Sequence, residues 1–116
     1  MNNFTKEQLE DIEKKIIFNL KQVYDPEIPV NIYDLGLVYK IEFEEKEPYL
    51  HAIVTMTLTS PACPVAENLL EQVKYVTLAV DLVDEAFVHL VFDPPWDKNM
   101  ISEEGRDYLM MNGTLI

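Results

Sequence analysis

Thr57-Leu58-Thr59-Ser60-Pro61-Ala62-Cys63-Pro64 is where one kind of periodicity gives way to another. Before it, residues 49–58 alternate in the manner of a strand; after it, apolar residues return every three or four positions, as on a helix. Pro64 suits the first position of a helix, where its missing N–H costs no helical hydrogen bond. That places Cys63, the only cysteine, at the N-cap or beside it. A sulfur there meets unpaired N–H groups and the positive end of the helix dipole, which favour an anion by ~0.3–1 kcal/mol. The junction therefore predicts a strand feeding a helix, with a mildly activated thiol at the joint.

Upstream, Leu50, Ala52, Val54, Met56 and Leu58 share a core face, and Tyr49, His51, Ile53, Thr55 and Thr57 share the other. Residues 37–43 alternate as well, with Leu37, Tyr39, Ile41 and Phe43 on one face and Val38, Lys40 and Glu42 on the opposite one. The charged turn Glu44-Glu45-Lys46-Glu47-Pro48 joins the two runs into a predicted β-hairpin. Residues 5–24 read as an amphipathic helix carrying Leu9, Ile12, Ile16, Leu20 and Val23 on its apolar stripe. Thr5 and Gln8 form a capping box, Phe4 and Leu9 a hydrophobic staple, and Asp25-Pro26 supplies the stop. The link over 25–36 is stiff and apolar, with two prolines and Ile28, Val30, Ile32 and Leu35. It is predicted to pack down and hold Asp25, Glu27 and Asp34 in place. Asp25 and Asp34 also suit plain turn positions, whereas a turn has no need of Glu27 between two prolines.

Downstream, Val65, Leu69, Val73, Val76 and Val80 mark a helix over 64–80. A third strand is predicted over 86–92 with Val88, Leu90 and Phe92 inward. Asp93-Pro94-Pro95 is a rigid lead-in that favours Trp96 as an anchor closing the core over an exposed partner contact. Ser102 then caps a short helix that stops near Asn112-Gly113. The order helix–strand–strand–helix–strand, plus a short C-terminal helix, implies an α+β two-layer sandwich, a single domain over residues 1–116.

The 116 residues are 48% apolar and carry a net charge of −12. Such a surface repels phosphate backbones, which argues against nucleic-acid binding, and favours basic or metallic partners. No apolar run approaches the ~20 residues of a membrane helix, and the first residues lack a signal-peptide pattern. With one cysteine there is no internal disulfide, and a cytoplasmic location is expected.

Three uses of Cys63 stay open on the residues alone. As a nucleophile it would need a base, and only His51 and His89 are present, both on the non-core sheet face. No Lys or Arg lies within ten residues of the sulfur along the chain to stabilise a thiolate further. As a metal ligand it would need help, since one thiolate cannot hold an iron–sulfur cluster that takes four ligands. Two chains would bring two thiolates, with Glu27, Asp34 or His51 as harder donors, and such a cluster would be labile. The third use is a small buried cap residue.

Three ordered motifs narrow the choice. Asp25-Pro26-Glu27-Ile28-Pro29-Val30 leading to Asp34-Leu35-Gly36-Leu37-Val38 resembles the first signature of the SufT-like family of metal–sulfur cluster assembly proteins. Thr59-Ser60-Pro61-Ala62-Cys63-Pro64 resembles the second, and Asp93-Pro94-Pro95-Trp96 with Met100-Ile101-Ser102-Glu103-Glu104-Gly105-Arg106 the usual C-terminal segment. The likeness spans about residues 8–112. It implies an iron–sulfur cluster assembly-like domain and a non-enzymatic role in maturing iron–sulfur proteins, with client apo-proteins and assembly machinery as partners. Glu27, Asp34, Thr59 and Cys63 are the site residues it carries over, with Cys63 and Glu27 as metal ligands. The expected cargo is a labile iron–sulfur cluster shared across a homodimer. Two alternatives accompany it. Eukaryotic relatives are adaptors that dock clients without a cluster of their own. A related branch serves a phenylacetyl-CoA oxygenase, but it carries a cysteine-rich extension that a one-cysteine chain fits less well.

Overall fold

The computed structural model describes residues 4–25, 28–46, 49–59 and 66–111. Helix α1 (Lys6–Leu20) opens on the predicted capping box: the Thr5 hydroxyl accepts from Gln8 N–H at 3.1 Å, and the Gln8 side chain accepts from Thr5 N–H at 2.8 Å. Its buried face is Ile12, Ile16 and Leu20. The helix stops sooner than the periodicity to residue 24 suggests. Val23 and Tyr24 instead pair with the loop that follows, Ile32 N–H donating to the Val23 carbonyl at 2.8 Å and Tyr24 bridging to Asn31. Val23 keeps its core position in this extended geometry. Periodicity reports which residues are buried, and it cannot tell a last helical turn from a strand-like bridge that buries the same side chain.

Strands β1 (Val38–Lys46) and β2 (Tyr49–Met56) form the expected antiparallel hairpin, and β3 (Glu85–Leu90) pairs parallel to β2, giving the order β1-β2-β3. A parallel neighbour requires a crossover, and α2 (Ala66–Leu78) provides it. Leu50, Ala52, Val54 and Met56 of the central strand are all fully buried and share one cluster with Ile12, Ile16 and Leu20 of α1 and Leu69 and Val73 of α2. Asn19 ties the two helices together by donating to the Val76 carbonyl at 2.8 Å. Two helices on one face of a three-stranded sheet make the predicted two-layer α+β sandwich.

Three details of the strand reading change. The register slips between Val38 and Lys40, so that Val38 lies opposite Met56 while Lys40 lies opposite Thr55. This bulge at Tyr39 inverts the alternation, and Val38, predicted to face away, packs against the core. Second, β3 begins at Glu85 and ends at Leu90, so Phe92 falls beyond the ladder and is exposed, while Ala86 takes the buried place opposite Ala52. Third, the connection into β3 turns on Leu82, whose φ of 79° is a strained choice for a leucine.

After a 3-10 turn (Lys98–Met100), α3 (Glu103–Met111) starts on the predicted cap, Gly105 N–H donating to the Ser102 hydroxyl at 3.0 Å. Ile101 and Leu109 enter the core. The predicted stop at Asn112-Gly113 lies outside the described residues. Among the described residues, no helix is long and apolar enough to cross a membrane.

Candidate functional site

The loop bearing Asp34 leads into Leu37, which meets the chain just after β2. Thr57 N–H, just past the end of β2, donates to the Leu37 carbonyl at 2.8 Å. The 28–37 loop therefore runs along the C-terminal end of β2, where the chain departs toward Cys63. Cys63 and Glu27 themselves lie outside the described residues.

Asp25 serves the turn that the sequence suggests, its buried carboxylate accepting from Ile28 N–H at 2.8 Å. Asp34 sits at the centre of a clamp. Its Oδ2 accepts from the Asn31 amide at 2.8 Å, its Oδ1 from the Ser102 hydroxyl at 3.0 Å, and its backbone carbonyl from Ser102 N–H at 2.7 Å. Asn31 caps the turn by accepting from Asp34 N–H at 2.9 Å. Ser102 thus uses one hydroxyl to donate to Asp34 and to accept from the first turn of α3, joining the loop to the helix.

Gly36 closes the turn with φ +83°, and a Cβ there would run into the Met100 carbonyl. Only glycine allows the C-terminal segment to approach this closely. Trp96 fastens the same place, its indole N–H donating to the Leu35 carbonyl at 2.7 Å while its ring packs on the core, as the rigid lead-in predicts. The Tyr39 hydroxyl, set by the bulge, donates to the Pro94 carbonyl at 2.6 Å.

Thr59 is half-buried at the last described position before the gap. Thr57 is the surprise. Alternation assigns it to the outer face, yet it is fully buried and its hydroxyl has no hydrogen-bond partner among the described residues. A buried hydroxyl without a partner costs roughly 1–3 kcal/mol. Strand parity offers no signal for it, because β2 ends at Met56 and the alternation no longer governs the residue after it. Ser102 is likewise legible in sequence only as a helix cap, since its contact with Asp34 spans 68 positions.

The two histidines do not form a pair. His51 lies opposite Glu85 and His89 opposite Thr55, which puts them four residues apart along β2, ~13 Å at ~3.3 Å per residue. His51 instead stacks at a tilt on Phe87, with ring centres 5.5 Å apart. Among the described residues, no group of three or more His, Cys, Asp or Glu side chains is placed to hold a metal ion.

Known proteins share this fold and much of this sequence. The model of the family described as "Iron-sulfur cluster assembly protein" matches residues 13–89. The chain is 45% identical over 92 residues to a Fe-S protein maturation auxiliary factor of Porphyromonas gingivalis, covering 79% of this chain and 85% of that one. It is 39% identical over 80 residues to the Fe-S protein maturation auxiliary factor SufT of Staphylococcus aureus, covering 69% and 88%. A crystal structure of a domain of unknown function from Bacillus anthracis superposes with a TM-score of 0.78 at 39% identity, covering 88% of this chain and 94% of that one. The matched motifs, the shared fold and these identities agree: the chain belongs to the iron–sulfur cluster assembly protein family, as a SufT-like member.

Proposed function

We propose that this protein is an accessory factor in the maturation of iron–sulfur proteins, carrying a cluster as cargo between assembly machinery and client apo-proteins without turnover chemistry. The observation that supports a site at this end is the hydrogen bond between Thr57 and Leu37, which sets the Asp34 loop against the strand leading to Cys63. In this reading Cys63 is the soft ligand and Glu27 the hard one, while Asp34 and Thr59 frame the site. One thiolate per chain leaves a cluster incompletely ligated. A second copy of the chain, or a client cysteine, completes the set, and exchange of that last ligand is the hand-off. A homodimer in the cytoplasm fits this use.

Anaerobic reconstitution with iron and sulfide tests the proposal. Wild-type protein gains the visible absorbance of a cluster, and Cys63→Ala loses it. Absorbance unchanged in Cys63→Ala refutes the thiolate ligand.

A second reading, an adaptor that docks clients without a cluster, draws on the commitment of both Asp34 oxygens to Asn31 and Ser102. It predicts that Cys63→Ala still supports maturation of an apo-client supplied with a separate cluster donor.

A further inference from the structure

The sheet face turned away from the helices carries a second constellation, at the opposite end of β2 from Thr57. Here a cleft of about 600 Å³ is lined by Tyr49, His51, Asp84, Glu85 and Phe87. Its floor is set by register: His51 lies opposite Glu85, and Phe87 in the next outward row leans onto the His51 ring. Tyr49 and Phe87 are both substantially exposed, at 56% and 43%, so much of their apolar ring surface faces water even with His51 against Phe87, which is unfavourable.

The carboxylates of this cleft have capacity to spare. Asp84 uses Oδ2 to accept from Leu50 N–H at 2.7 Å, a bond that fixes the side chain across the head of β2 and β3. Its other oxygen has no bond among the described residues. Glu85 has no ion-pair partner among the described residues, unlike Glu42 and Glu44 on β1, which are met by Lys40 at 3.5 Å and Lys46 at 2.8 Å. Among the described residues no salt bridge reaches Asp84 or Glu85: Lys46, opposite Tyr49 on this face, is engaged by Glu44, and the chain carries a net charge of −12.

We propose that this cleft docks an arginine side chain of a basic segment on a partner protein, the guanidinium stacking on Phe87 and Tyr49 while donating to Glu85 and Asp84. A guanidinium matches both halves of the lining: its planar face suits aromatic rings, and its forked donors suit carboxylates. A lysine ammonium offers neither the plane nor the fork. An anionic partner is repelled, and a purely apolar one leaves both carboxylates facing a dry surface. The cleft runs from Tyr49 to the row of Phe87, which lies opposite Ile53, so it is four to eight residues of strand from Thr57, ~13–26 Å, and the inference does not rest on the cluster-carrier reading. It names a handle by which a partner is held while the other end of the sheet is free.

The test is a titration of isotope-labelled full-length protein, followed by amide shifts, with an acetylated and amidated Gly-Arg-Gly-Arg-Gly peptide at about 0.1 M salt, where long-range attraction is screened. Saturable shifts centred on Tyr49, His51, Glu85 and Phe87 are expected, with binding weakened about fivefold or more in Glu85→Gln and in Phe87→Ala. Glu71→Gln, which removes the same charge from the exposed surface of α2, should bind within twofold of wild type. The lysine version of the peptide should bind at least threefold more weakly. The proposal is overturned if Glu71→Gln weakens binding as much as Glu85→Gln, if shifts spread over the acidic surface without a centre, or if lysine binds as well as arginine. Should Phe87→Ala unfold the sheet, Glu85→Gln decides alone, since its side chain is exposed and replaced at equal size.

Discussion

Thr57 concentrates the conflict between fold and use in one hydroxyl. Its backbone closes the ladder to Leu37, while its side chain is buried with no hydrogen-bond partner among the described residues. Replacing it by valine keeps the shape and removes the unpaired oxygen. Thr57→Val should therefore be about 1 kcal/mol more stable than wild type in urea denaturation. A variant that is less stable would show that the hydroxyl has a partner in solution. If Thr57 serves the site, the stabilised variant should also take up or pass on cluster more slowly, the usual exchange of activity for stability at a functional position.

At the scale of elements, the decisive joint is between the 28–37 loop and α3, and Ser102 makes it. The same hydroxyl caps the helix through Gly105 and meets the Asp34 carboxylate. Ser102→Ala loses both, and an N-cap alone contributes about 1 kcal/mol. A loss of about 1–2 kcal/mol is expected from the midpoint of chemical denaturation, with Ser102→Thr recovering most of it. No change in the midpoint would mean that the packing of Ile101 and Leu109 alone holds α3 down. The hairpin is held differently. Lys46, hydrogen-bonded to Glu44, holds that carboxyl below the usual glutamate range, with the attraction of its charge adding to the effect, and the Lys46 ammonium is raised in return. Both side chains are at the surface of β1, where water and salt screen the pair, so it adds little to the stability of the fold.

For the whole molecule, the net charge of −12 spread over 116 residues is a standing self-repulsion of the compact state. Only three ion pairs offset it among the described residues, all on exposed side chains. Raising sodium chloride from about 10 mM to about 300 mM should therefore raise the melting temperature by roughly 3–5 °C, since the Debye length contracts below the spacing between surface charges. A melting temperature that is flat or falls with salt would show that local pairs outweigh the net repulsion. The same charge sets the chemistry of association, as it disfavours phosphate backbones and gives basic segments the advantage at any acidic cleft.

Much of this was legible in the order of residues, because it rests on local rules. The Thr5–Gln8 box, the alternation of residues 49–56, the apolar stripes of α1 and α2, the Ser102 cap and the Trp96 anchor each depend on neighbours within a few positions. Together they suffice for the α+β sandwich, and three spaced motifs suffice for the family. The bulge at Tyr39, the early end of α1 and the burial of Thr57 were not legible, since in each case a distant strand or loop overrides the local period. The Asp34–Ser102 clamp, the parallel placement of β3 beside β2 and the cleft between Tyr49 and Phe87 belong to the same class. Sequence determined which side chains seek the core and where helices begin; tertiary structure alone decided which polar groups meet, because hydrogen bonds between remote segments leave no periodicity along the chain.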